Sequence, residues 1–139
     1  TQLQVLFNRF GFFEELLRMV PGLYALWLNA WGARVSPVVY WGPGAVVVDR
    51  QAVRIGPGAV IGTRAVLAGH LAVKDSSGEF RVTLAPVEVG NGALIGAYAG
   101  IGPGCRVAAG EEVPAAAFLR PFTQWTGGRR MKANRPRLV

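Results

Sequence analysis

The chain is poor in side chains that titrate near neutrality or carry redox chemistry, with one cysteine, Cys105, and one histidine, His70, in 139 residues. A single thiol cannot close an intrachain disulfide, so a reducing compartment, the cytoplasm, is the simpler setting. Acidic residues are scarce too, eight against fifteen lysines and arginines, for a formal charge of +7. Five of those charges sit at Arg129, Arg130, Lys132, Arg135 and Arg137, which leaves +2 for the remainder. The basic signal therefore belongs to a tail. A folded nucleic-acid surface spreads its cations along a face with aromatics between them, and this chain lacks that pattern, which argues against nucleic acid as a partner. A spanning helix needs about 20 uninterrupted apolar residues, whereas Glu14, Glu15, Arg18 and Pro21 break up the apolar N-terminal stretch.

What the sequence does have is a period. An aliphatic residue returns every sixth position at Ile55, Ile61, Leu67 and Val73, and the register resumes at Val89, Ile95, Ile101, Val107 and Val113. Two residues before most of these stands a second inward candidate: Val53, Ala59, Ala65, Leu71, Val87, Ala93, Ala99 and Cys105. That spacing is strand alternation. Each unit reads as a short strand with two inward side chains, followed by a bend at Gly, Pro-Gly or Asn-Gly. A unit alone buries little, but stacked units share one continuous core, so the period predicts an all-β solenoid of the parallel β-helix kind. At this length it is a single domain.

The flanks differ in character. Leu3, Leu6, Phe7, Phe10, Phe13, Leu17 and Val20 recur at helical spacing, which predicts an amphipathic helix over 3–20, ended by Pro21-Gly22; a second short helix is expected at 23–31. Their apolar stripes suit either packing on the first coil or a neighbouring copy, or partial insertion at a membrane interface, where the basic tail would favour anionic lipid. The start at Thr1 leaves room for an upstream segment. From Val35 the pattern turns to β, with a first, imperfect coil. The polar stretch between Val73 and Val87 predicts a loop at 74–86 thrown out of the solenoid. After Val113-Pro114 the hexads are expected to stop, with Phe118, Leu119, Phe122 and Trp125 capping the last coil. The organisation is then helices at 1–34, the repeat at 35–114, and a cap with basic tail at 115–139.

His70 stands at the edge of the interrupting loop, and loops on rigid scaffolds tend to carry function. Histidine is the side chain whose unperturbed pKa suits proton abstraction near neutrality, although a lone histidine also serves to cap turns. Cys105 occupies an inward repeat position, where a small buried thiol is at home.

In the order Val48-Asp49, Val53-Arg54-Ile55-Gly56, Gly69-His70, the loop, Ala85-Pro86-Val87-Glu88-Val89-Gly90-Asn91 and Leu94-Ile95-Gly96, the sequence resembles the hexapeptide-repeat acyltransferases, and among them the maltose, galactoside and colanic acid O-acetyltransferases. The resemblance spans about residues 35–114. It implies a left-handed parallel β-helix and an acetyl-CoA-dependent O-acetyltransferase, or one using another acyl-CoA, that acts on a hydroxyl of a sugar or sugar-like acceptor, of the kind met in polysaccharide biosynthesis. It further implies His70 as general base, Asp49 at the acceptor hydroxyls, and the Ala97 backbone N–H as oxyanion donor. Coenzyme A would pass Ala97, Ala99 and Gly104 in a groove between subunits of a homotrimer, with Arg106 and Arg120 as candidates for its phosphates. Trp41 is a candidate to stack on the acceptor, although a buried corner aromatic suits it as well. The chain departs from the family pattern at Leu94, where Trp is usual, at Trp41, near an acceptor-side Asn, and in the missing last coil. A zinc enzyme on the same kind of solenoid would need about three histidine ligands, so no metal is expected. The alternative is a noncatalytic β-solenoid scaffold or membrane-peripheral assembly module, in which His70 caps a turn.

Overall fold

The structure, a computed structural model, describes residues 2–132. Three of its four sheets wall a triangular solenoid. The first wall stacks Arg34–Val35, Val53–Ile55, Val87–Val89, Arg106–Val107 and Thr123–Thr126 in parallel. The second stacks Tyr40–Trp41, Val60–Ile61, Leu94–Ile95 and Glu112–Val113. The third stacks Val46–Val47, Val66–Leu67, Gly100–Ile101 and Phe118–Leu119. The six-residue period is the reason for this form: strands too short to hold a sheet alone pair only with the coils above and below.

The inward register follows the alternation. Val53, Ala59, Ala65, Val87, Ala93, Ala99 and Cys105 are buried, as are Ile55, Ile61, Leu67, Val89, Ile95, Ile101, Val107 and Val113. Each large aliphatic so buried contributes about 1.5–3 kcal/mol, while the small residues two positions earlier let the walls close at the corners. Leu71 and Val73 break this rule. Both are exposed, at 38% and 49%, because they lie on an antiparallel hairpin, His70–Lys74 paired with Phe80–Leu84, that leaves the solenoid. The excursion therefore begins at His70, earlier than the loop expected at 74–86. Alternation alone cannot tell a coil strand from a hairpin strand.

The far end also differs from expectation. Phe118–Leu119 and Thr123–Thr126 extend the third and first walls, with Leu119 and Trp125 turned into the core. Trp125 stands in register with Val107, so an aromatic replaces the aliphatic of the repeat. Arg129–Lys132 then folds back antiparallel and covers that edge, as exposed strand edges require. Arg135 and Arg137 lie outside the described residues.

At the near end, the stretch expected as one helix is two: α1 (Gln2–Arg9) and α2 (Gly11–Arg18), followed by α3 (Leu23–Ala30). The break falls at Phe10 and Gly11, where glycine disfavours a helix interior. Tyr24, Ala25 and Leu28 of α3 seal the first coil. The fully buried Arg50 binds Glu14 of α2 through Nε at 3.0 Å and through Nη2, and Trp27 Nε1 donates to the same carboxylate at 3.1 Å. Breaking a buried pair of this kind costs about 3–5 kcal/mol, so the helices are fastened to the solenoid by charge as well as packing. Phe10, Phe12, Met19 and Leu26 remain exposed. These apolar residues and the described basic strand lie at opposite ends of the first wall, so they do not form one surface.

Candidate functional site

The corner between the third and first walls is where the repeat is irregular, in its first two coils. In the first coil it carries Asp49 and Arg50, in the second Gly69, His70 and the hairpin, and in the third Gly102-Pro103-Gly104. Pairing of Val46–Val47 with Val66–Leu67 sets Asp49 directly beside Gly69. Asp49 Oδ2 accepts the Gly69 N–H at 2.9 Å and lies 2.6 Å from His70 Nδ1. Asp49 is 9% exposed, whereas the His70 side chain is 43% exposed, so the carboxylate is held and the outer edge of the ring is open.

Gly69 makes that approach possible. A Cβ there would lie 2.5 Å from Ala52 Cβ and 3.3 Å from Asp49 Cβ. The hairpin is stiffened at its tip, where Asp75 Oδ1 accepts Ser77 N–H at 2.9 Å, Ser77 Oγ–H at 2.6 Å and Glu79 N–H at 3.0 Å. The hydroxyl of Ser77 and these backbone donors hold the Asp75 carboxyl below its ordinary range.

The other sequence candidates are distributed. Gly104 shares the His70 corner, with its N–H on Ala85 O at 3.3 Å, and Arg120 belongs to the same corner one coil further on. Ala97 lies at the corner between the second and third walls, followed by Tyr98 with a positive φ of 62°. Ala99 points inward and is fully buried, so its side chain belongs to the core. Arg106 stands on the outside of the first wall, 3.0 Å from Glu88. Trp41 occupies the inward register beside Ile61 and packs edge-on against Tyr24 at 4.7 Å, beneath the helical seal. The structure thus brings Asp49 to His70 and leaves Trp41 half-buried against Tyr24 at the first coil.

The imidazole partner is not legible in the sequence. The family resemblance places Asp49 at the acceptor, yet its Oδ2 is turned inward to His70 and Gly69. The one signal of the pairing is a separation of 21 residues, close to one coil plus the irregular corner. Burial pushes the Cys105 thiol above its usual range, and its Sγ sits 3.0 Å from Arg120 O. Among the described residues no group of three or more His, Cys, Asp or Glu side chains could hold a metal. No described helix is long and apolar enough to cross a membrane.

This architecture is the left-handed parallel β-helix of hexapeptide repeats. A hexapeptide-repeat containing acetyltransferase from Vibrio cholerae is similar in structure, with a TM-score of 0.54 and 11% identity over 98% of this chain and 94% of that one. At such identity the likeness is one of fold. A maltose O-acetyltransferase from Clostridium difficile 630 aligns at a TM-score of 0.38, with 14% identity over 98% of this chain and 90% of that one. A soybean serine acetyltransferase aligns at 0.33, with 22% identity over 78% and 47%. No protein-family model and no curated protein sequence matches the chain.

Proposed function

We propose that the protein is an acetyl-CoA-dependent O-acetyltransferase acting on a hydroxyl of a sugar or sugar-like acceptor, with His70 as general base. The observation that carries this reading is the 2.6 Å contact between His70 Nδ1 and Asp49 Oδ2. A carboxylate only accepts, so Nδ1 of the neutral ring carries the proton and Nε2 keeps its lone pair. Nε2 then takes the acceptor hydroxyl proton while the hydroxyl oxygen attacks the thioester carbonyl. Asp49 stabilises the imidazolium that results. As the tetrahedral species collapses and the C–S bond breaks, His70 returns the proton to the departing thiolate.

The developing oxyanion needs a fixed N–H donor, a role that falls to the Ala97 backbone. His70 and Ala97 occupy the two corners that bound the third wall. Meeting at one ester therefore calls for two copies of the chain, which supports a homotrimer with closed symmetry. The outward residues of the third wall are Val46, Val66, Gly100 and Phe118, an apolar row suited to face the threefold axis. Coenzyme A would run in the groove between copies, along Ala97 and Gly104, with Arg106 and Arg120 toward its phosphates. A peripheral membrane contact, if made, rests on the exposed apolar residues of the N-terminal helices alone.

Calorimetric titration with acetyl-CoA is the first test, and saturable binding is expected. His70→Ala should leave that binding and the thermal midpoint near wild type while acetyl transfer falls by about 10² to 10⁴, the contribution of a positioned general base, mainly in kcat. A folded His70→Ala protein that transfers acetyl at the wild-type rate would overturn the assignment. Absence of acetyl-CoA binding would favour a noncatalytic scaffold.

A further inference from the structure

The outer side of the first wall carries a row of charge that the other walls lack. Arg34, Arg54, Glu88, Arg106 and Gln124 stand in register along the solenoid axis. The corresponding outward rows are Tyr40, Val60, Leu94 and Glu112 on the second wall and Val46, Val66, Gly100 and Phe118 on the third. Glu88 is the one carboxylate of the charged row, and it is shared: Oε1 lies 3.1 Å from Arg54 and Oε2 lies 3.0 Å from Arg106. Arg34 has no carboxylate partner among the described residues. The row therefore carries three guanidinium groups against one carboxylate, and Arg34 stands directly opposite Arg54, whose own carboxylate lies on its far side; like charges so placed are unfavourable.

Two open cavities, of about 480 Å³ and about 460 Å³, follow this wall, and Arg34 and Arg54 line both. The second also takes in Gln51, Gly69, Ala85 and Pro86, so it reaches the base of the hairpin and the residue before His70. Strands about 4.8 Å apart set two guanidinium groups close enough to hold one tetrahedral or planar anion, and the arginine fork matches phosphate and carboxylate oxygens two at a time. We propose that Arg34 and Arg54 bind an anionic group, phosphate or carboxylate, of the acceptor molecule, whose hydroxyl then lies toward His70. This inference rests on the acyl-transfer reading and narrows its acceptor to an anionic one. Arg106, beyond Glu88 toward the other end of the wall, is left to the phosphates of coenzyme A.

Calorimetry on the full chain with inorganic pyrophosphate as the anion probe, and separately with acetyl-CoA, tests the proposal. In the double variant Arg34→Gln/Arg54→Gln, pyrophosphate affinity should fall about tenfold or more, the scale of losing charge-assisted bonds. Acetyl-CoA affinity should stay within about twofold of wild type, and Arg106→Gln should show the reverse pattern. Both sites are exposed, so an unchanged thermal midpoint is the control for folding. Unchanged pyrophosphate binding in the double variant overturns the site. A parallel loss of acetyl-CoA affinity assigns the anion to coenzyme A and overturns the acceptor claim. If wild type binds pyrophosphate but never acetyl-CoA, the acyl-transfer reading fails and the acceptor claim falls with it, while a loss of pyrophosphate binding in the double variant would still support the anion site.

Discussion

Two corners of the same solenoid are built on opposite principles. Between the first and second walls three of the four turns are nearly alike, at Gly56-Pro57-Gly58, Gly90-Asn91-Gly92 and Ala108-Ala109-Gly110, with φ of 76°, 66° and 72° at the last glycine of each, and only the first coil differs, with Ser36-Pro37-Val38-Val39. Between the third and first walls the first two turns are unlike any other, a buried arginine in one coil and a histidine with a fifteen-residue hairpin stretch in the next, and only Gly102-Pro103-Gly104 and Arg120-Pro121-Phe122 repeat, with φ of 74° and 60° at the third residue. Repetition serves stacking, since each turn must fit the one below. Departure from it must be held in place by something else, and side-chain contacts do so: Asp49 on His70, and Glu14 on Arg50. Rigid coils on either side let an irregular corner persist, and that is where a reactive group can be aimed.

The sharpest way to break the comparison is at Asp49. In Asp49→Asn the amide oxygen takes the place of Oδ2, since it must accept the Gly69 N–H, so Nδ1–H keeps an acceptor while the charge that stabilises the imidazolium is lost. Acetyl transfer should fall by about 10² or more, while the coil stays folded. Because the chain has one histidine, imidazole nitrogen shifts in NMR report the tautomer without ambiguity. A wild-type rate in the folded variant would separate Asp49 from the chemistry.

Titration of the helical seal should affect both corners alike. Burial pushes the Tyr24 hydroxyl from its ordinary 10 up to about 12, against the opposing charge of Arg18. A raised folded-state value favours the neutral form, so its stabilising effect is complete below pH 10 and is lost as pH rises through about 12. Denaturant melts over that window should lose roughly 2–3 kcal/mol that Tyr24→Phe does not lose, at about 1.4 kcal/mol per pKa unit.

Glycine substitutions set the corners against each other. At Gly58 a Cβ meets nothing nearer than 3.8 Å, but φ is 76°, so Gly58→Ala should cost about 1–2 kcal/mol of left-handed strain and leave transfer per folded molecule unchanged. At Gly69 the added Cβ would press on Ala52 and Asp49. Gly69→Ala should cost about 1–3 kcal/mol by overpacking, and transfer should fall as well, because the peptide that delivers His70 must move. Equal activity in the two variants would contradict the distinction between the corners.

The smallest expected effect is at Cys105. Buried in the regular register with its thiol pushed up by burial, it should resist iodoacetamide in the native protein and react only on unfolding. Rapid alkylation of the native protein, followed by mass spectrometry, would show that this coil opens.

The solenoid is written into the order of residues, because inward positions recur on a fixed six-residue period and stacking on that period buries Ile55, Ile61, Leu67, Val89, Ile95 and Ile101 together. That order also marks His70 as the residue to watch, since no other side chain has an unperturbed pKa near neutrality. Local pattern cannot separate Leu71 and Val73 from the core, because a hairpin strand alternates as a coil strand does. The walls do extend to Leu119 and Trp125 on that same period, six and twelve residues after Val113, although Trp replaces the aliphatic and the glycine that follows several inward residues is gone. The pairing of Asp49 with His70, the burial of Arg50 against Glu14, and the row from Arg34 to Gln124 come into being only in the folded chain. Each joins residues from different coils or from a helix and a coil, and coil registry depends on how far the irregular corner advances the chain, a quantity that spacing along the sequence does not contain.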